Sequence, residues 1–136
     1  MTAQTGAEVP FVIRTQATGQ VIGSTRYLDI RRPHRALEIG WTWLGTSFQR
    51  TEANTEAKFL LLQHAFEGLG AIRVQLKTDE RNIRSQRAIE RIGASREGVH
   101  RKQMVLWDGF VRNAVFYSIT DDEWPLVKSR FQKRLS

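Results

Sequence analysis

The sequence contains no cysteine. This excludes disulfides, thiolate nucleophiles and cysteine metal sites. Histidine is scarce, and His34, His64 and His100 stand far apart. None of them forms a metal-ligand pair at helical or hairpin spacing, so no metal is expected. No apolar run approaches the length of a membrane span. The opening residues MTAQTGAEVPF lack the basic-then-apolar order of a signal peptide. No internal repeat, low-complexity tract or linker interrupts the chain. These absences predict a cytoplasmic protein with no membrane partner. The 136 residues read as one domain, 1–136, with 1–10 loose and Pro10 as a stop.

Acid is also in short supply, with 14 Asp and Glu against 21 Lys and Arg, for a net charge of +7. That balance favours an anionic partner such as nucleic acid, a ribosome or a phosphorylated cofactor; a merely solvated surface is the plainer reading.

The stretch from Leu37 to Gly70 organises the rest. It reads strand, polar loop, long helix. A helix entered from a polar loop offers unpaired N–H groups and a positive dipole end, which suit phosphate. Before it come strands at Phe11–Thr15, Val21–Ile30 and Ala36–Leu44, with Gly19 in the first turn. They form an antiparallel meander. Gly23 marks a bulge or a close backbone approach. In the third strand, alternation places Leu37, Ile39, Trp41 and Trp43 on one face, and Glu38, Gly40, Thr42 and Leu44 on the other. A glutamate among apolar neighbours must be solvated, paired or used. Gly40 leaves room beside it.

The long helix runs from about Thr55 to Leu69. Phe59, Leu62, Phe66 and Leu69 form its apolar stripe; Glu56, Gln63 and Glu67 form its polar one. Gly70 closes it. Ala71–Thr78 alternates, with Ile72, Val74 and Leu76 opposed to Arg73, Gln75 and Lys77. The latter face is solvated or lines an acceptor. A strand-helix-strand succession predicts a parallel pairing with the strand before the helix. A second helix, NIRSQRAIERIG, ends at Gly93 and carries Ser85, Ala88, Ile89 and Ile92 on its inward face. Strands at Glu97–Leu106 and Val111–Ile119 flank an Asp108-Gly109 turn, with Tyr117 as core and its hydroxyl at the rim. Trp124–Leu135 reads as an amphipathic helix.

Four segments together resemble the GNAT N-acetyltransferases, and more closely the RimJ/RimL branch. They are LEIGWTW, ANTEAKFLLLQHAFE, LGAIRVQLKTDERNIRSQRAIERIGASREGV and DGFVRNAVFYSIT-DDEWP. The resemblance spans Phe11 to Leu135. It implies an α/β (α+β) fold with a mixed, mostly antiparallel sheet, flanking helices and a splayed central strand pair. Relatives begin with a further strand and one or two helices, roughly sixty residues by usual domain size, which form part of an acceptor wall.

The resemblance implies acetyl transfer from acetyl-CoA to a primary amine, by direct attack. The acceptor would be a small amine or a protein N-terminus, such as that of a ribosomal protein, since the branch acetylates such termini. A homodimer would let a second chain supply the wall. By the same resemblance, Gln49, Arg50, Thr51, Ala53, Asn54 and Thr55 would hold the diphosphate. The family's loop has a glycine where Glu52 stands. A carboxylate there suits the helix dipole but repels phosphate unless it points to solvent, and Arg50 would offset it. Trp43 and Leu44 would lend backbone groups to the pantetheine arm, and Asn82 would hydrogen-bond it. Ser85 would protonate the leaving thiolate, since the tyrosine many relatives carry one turn later is Ile89 here. Glu38 would be the general base, through water.

Each residue also has a plainer reading. Thr51, Asn54 and Asn82 are good helix caps. Ser85 can bond back to a helix carbonyl, and Glu38 can pair with an arginine. Two alternative functions stand beside the enzyme. One is a catalytically silent acyl-CoA-binding remnant. The other, motivated by charge, is an RNA- or ribosome-binding protein, for which no aromatic-basic motif is present.

Overall fold

The computed structural model describes residues 8–49 and 52–136, and of Trp41 the backbone alone. Among them β1 (Val9–Arg14), β2 (Val21–Arg31) and β3 (Ala36–Leu44) form the expected antiparallel meander. Pro10 does not stop anything: it lies within β1, which is an edge strand. An edge position tolerates the missing N–H donor. Residues 1–7 of the expected loose segment lie outside the described residues.

Gly23 is a close approach. A Cβ there would stand 2.1 Å from the Trp43 carbonyl oxygen. Across from it, β3 carries a bulge. Ser24 faces Trp43 while Arg26 faces Gly40, so β3 has one extra residue between them. An extra residue reverses the alternation that follows. Leu37, Ile39 and Leu44 are therefore buried together, and Trp43 is 61% exposed. The expected grouping of Trp43 with Leu37 and Ile39, and of Leu44 with Glu38, is corrected on this point.

The helix α1 (Glu52–Gln63) starts earlier than its pattern suggests and passes into a π turn at His64–Gly68. The wider turn breaks the 3.6-residue spacing. Leu61, Leu62, Ala65 and Phe66 are buried, whereas Leu69, expected on the stripe, is exposed. Gly70 has φ +70°, as a helix-closing glycine should. Next come β4 (Arg73–Asp79), α2 (Ile83–Arg91), β5 (Ser95–Val105), β6 (Val111–Thr120) and α3 (Trp124–Leu135). Ile72 precedes β4 and is partly exposed, so Thr78 completes the inward face with Val74 and Leu76.

The described strands make a six-stranded sheet in the order β1-β2-β3-β4-β6-β5. All pairings are antiparallel except β3 with β4, which is parallel as the crossover required. One core joins Leu37, Ile39, Val74, Leu76, Tyr117 and Ile119 of the sheet to Leu62 and Phe66 of α1 and its π turn, Ile89 of α2, and Trp124, Val127 and Phe131 of α3. Each such burial contributes about 1.5–3 kcal/mol. All three helices thus share one face of the sheet. The other face carries no helix among the described residues.

Candidate active site

The parallel pair β3–β4 lasts only from Ala36↔Arg73 to Glu38↔Gln75. Beyond Glu38 the strands part, and the β4-side edge of β3 has no strand beside it. The gap opens into a cleft of about 610 Å³ between the N-terminal ends of α1 and α2. The splayed pair expected from the sequence is therefore present.

Seven of the expected residues line this cleft: Trp43, Leu44, Gln49, Asn54, Thr55, Asn82 and Ser85. Ala53 sits in the first turn of α1 but not on the lining. Arg50 and Thr51 lie outside the described residues. Gln49 Nε2 donates to the Leu44 carbonyl at 3.1 Å, which ties the loop to the end of β3. Asn82 caps α2, its Oδ1 accepting from the Ser85 N–H at 3.0 Å. The cap fixes the first turn and so aims Ser85 into the cleft. Among the described residues no bond runs from the Ser85 hydroxyl back to a helix carbonyl.

Glu38 lies beside the cleft, at the fork, and is only 3% exposed. Its Oε1 accepts from Gln75 Nε2 at 2.8 Å and its Oε2 lies 3.4 Å from Lys77 Nζ. The partner is thus a lysine, where the plainer reading expected an arginine. A Cβ on Gly40 would stand 3.5 Å from Oε2 and 3.1 Å from Leu28 Cδ2, so the room expected beside the carboxylate is largely taken by Leu28. The polar face of β4 is engaged. Gln75 accepts from Arg73 at 3.0 Å, Arg73 forks onto Glu97 at 2.7 and 2.8 Å, and Ser118 donates to Glu97 at 2.8 Å. The hydrogen bond from Arg73, aided by that from Ser118, holds the Glu97 carboxyl below its ordinary range. Tyr117 is fully buried and donates to Glu90 Oε2 at 2.7 Å; burial first, then Glu90, pushes its hydroxyl up to about 12.

The cleft also holds cations that sequence reasoning missed. Lys58 lines it from α1, Arg84 and Arg91 from α2, and Arg134 from α3. Arg134 Nη2 reaches Glu52 Oε1 at 3.1 Å, so a residue of the last helix offsets the carboxylate in the loop-helix. Eighty-two residues separate the two, and no local signal links them. Lys58 was nearer to legible: it stands four residues after Asn54, one helical turn. Its Nζ donates to Thr42 Oγ1 at 2.9 Å and Asn54 Oδ1 at 3.5 Å, and burial lowers its pKa to about 8. Two of the three histidines pack on aromatic rings, His64 on Tyr27 and His100 on Phe116, and His34 is exposed. No metal-capable cluster occurs among the described residues, and no helix there is long and apolar enough to cross a membrane.

Known proteins share this architecture. A family model described as the acetyltransferase (GNAT) domain matches residues 1–95. The "putative ribosomal N-acetyltransferase YdaF" of Bacillus subtilis is 30% identical over 106 residues, covering 78% of this chain and 57% of YdaF. The crystal structure of a "putative acetyltransferase" from T. thermophilus superposes with a TM-score of 0.87 at 47% identity, over 95% of this chain and 67% of that one. A GCN5-related N-acetyltransferase from Brucella melitensis gives 0.89 at 34% identity, over 94% and 57%. The chain spans between half and two thirds of the length of these relatives. With a family model matching well over half of its residues, and the fork and cleft in place, the chain belongs to the GNAT acetyltransferase family.

Proposed function

We propose that the protein transfers an acetyl group from acetyl-CoA to a primary amine by direct attack in a ternary complex. The observation that carries this reading is the fork at Glu38. It opens a cleft between two helix N-termini on one side of the sheet, and leaves a buried carboxylate facing the other side. A thioester lying in the fork would be reached by donor-binding groups from the helix face and by an amine from the open face.

Each step of acyl transfer then has a residue. The diphosphate is held by the first turn of α1 and the loop before it, through Gln49, Arg50, Thr51, Ala53, Asn54 and Thr55. The pantetheine arm pairs with the vacant edge of β3 at Trp43 and Leu44, and Asn82 holds it from α2. Glu38 takes the proton of the incoming ammonium through water; its bonds to Gln75 and Lys77 hold the carboxylate in place. The amine attacks the thioester carbonyl, and a β3 N–H accommodates the oxyanion. The C–S bond breaks, and Ser85 returns a proton to the thiolate. For the acceptor, the name of YdaF supports a ribosomal protein over a small amine.

Calorimetric titration with acetyl-CoA tests the reading. Micromolar affinity, about −8 kcal/mol, is expected. Ser85→Ala should bind nearly as well and turn over on the order of a hundredfold more slowly. No binding at millimolar cofactor would refute the proposal. The second reading is a catalytically silent acyl-CoA binder. Tight binding with no turnover on N-terminal peptides or polyamines would select it.

A further inference from the structure

Lys58 projects from the second turn of α1 into the cleft. Helical side chains lean toward the helix N-terminus, which brings Nζ back over the first turn. There it donates to two neutral acceptors, Thr42 Oγ1 at 2.9 Å and Asn54 Oδ1 at 3.5 Å. Thr42 is itself held, 2.9 Å from the Thr25 hydroxyl, so the cradle is built from two strands and a helix. A lysine ammonium carries a third N–H donor. Among the described residues that donor has no partner, and no carboxylate lies within ion-pair distance of the amine.

The other charged groups lining the cleft are Lys77 of β4, Arg84 and Arg91 of α2, and Arg134 of α3, all cations. The two nearby carboxylates, Glu38 and Glu52, are engaged by Lys77 and Arg134. Positive charge is therefore in surplus here, and the described part of the chain offers Lys58 no anion. A partly buried cation without a counter-ion is costly. Burial accordingly lowers the amine to about 8. An anionic diphosphate beside the first turn of α1 would supply the missing charge, and an oxygen for the third donor.

We propose that Lys58 is a phosphate-binding residue, its free N–H donating to an oxygen of the donor's diphosphate over the first turn of α1. This rests on the proposed use of acetyl-CoA. No covalent bond of the donor changes. The contact needs the ammonium, so a neutral Lys58 takes a proton from solvent as the diphosphate binds. The bound form then holds its proton to higher pH than the free form. Affinity is full below about 8 and falls as pH rises beyond it.

The test titrates the purified chain calorimetrically with acetyl-CoA at pH 7 and pH 9. The parent should bind about tenfold more weakly at pH 9. Lys58→Arg keeps a cation that does not titrate in this range; it should bind within about threefold of the parent at pH 7 and lose the pH dependence. Lys58→Met should bind about tenfold more weakly than the parent at pH 7. The same loss should appear with 3′-dephospho-CoA, which keeps the diphosphate and lacks the other phosphate. Undiminished binding by Lys58→Met overturns the inference and leaves the proposed function standing. So does a loss confined to CoA that carries its 3′-phosphate, or a pH dependence that persists in Lys58→Arg. Should Lys58→Met fail to fold, the pH profiles of the parent and Lys58→Arg decide. No binding by the parent at millimolar acetyl-CoA at either pH overturns the inference and the proposed function together.

Discussion

Replacing Lys77 by Met tests the fork directly. Glu38 is almost fully buried, with Gln75 Nε2 at 2.8 Å and Lys77 Nζ at 3.4 Å as its partners. Removing the cation leaves a buried carboxylate with one neutral donor. Breaking such a pair typically costs 3–5 kcal/mol. Lys77 is 21% exposed, so water partly screens the pair and the lower end, about 3 kcal/mol, is expected. For a chain of this length that lowers the melting temperature by roughly 10 °C. Removing both charges, Glu38→Gln with Lys77→Met, should recover about 2 kcal/mol or more, since no lone charge then stays buried. Urea denaturation followed by circular dichroism measures all three proteins. A Lys77→Met variant as stable as the parent, or a double variant no better than the single one, would refute the reasoning.

Gly23→Ala should destabilise by about 2–3 kcal/mol, because the new methyl runs first into the Trp43 backbone carbonyl, which cannot swing aside as the Leu44 side chain beside it can; chemical denaturation reads the loss. Asn82→Ala should cost about 1 kcal/mol for the α2 cap and weaken acetyl-CoA binding as well, whereas Asn82→Ser should restore stability without restoring affinity. Hydrogen bonds from Arg81 lower the Asp79 carboxyl from 3.8 to about 2. Its contribution is therefore complete above 3.8 and lost as pH falls toward 2, and an acid titration of Asp79→Asn should lack that component. Glu52→Gln should tighten acetyl-CoA binding two- to fivefold at low salt by freeing Arg134 and removing the negative charge, roughly 0.5–1 kcal/mol; weaker binding would show that the pair positions the phosphate site.

Much of the fold was legible because it is written at short range. The strand-helix-strand order around α1 required the parallel β3–β4 pair, and the spacing of Ala88, Ile89 and Ile92 set the inward face of α2. Asn82 and Ser85 are three residues apart, so a single capped turn fixes both. Gly19 and Gly70 marked their turns through backbone conformations that favour glycine. Where the spacing rules failed, an extra residue had entered: the bulge in β3 sent Trp43 outward, and the π turn carried Leu69 off the stripe.

By itself, then, the sequence determined the element order, the crossover and the local geometry of the α2 cap, since each depends on residues a few positions apart. The tertiary structure alone decided where β3 and β4 part, that Lys77 and Gln75 hold Glu38, that Arg134 reaches Glu52, and that Lys58 finds Thr42. Those contacts depend on sheet register and on how three helices settle on one face, and neither is encoded in the spacing of neighbouring residues.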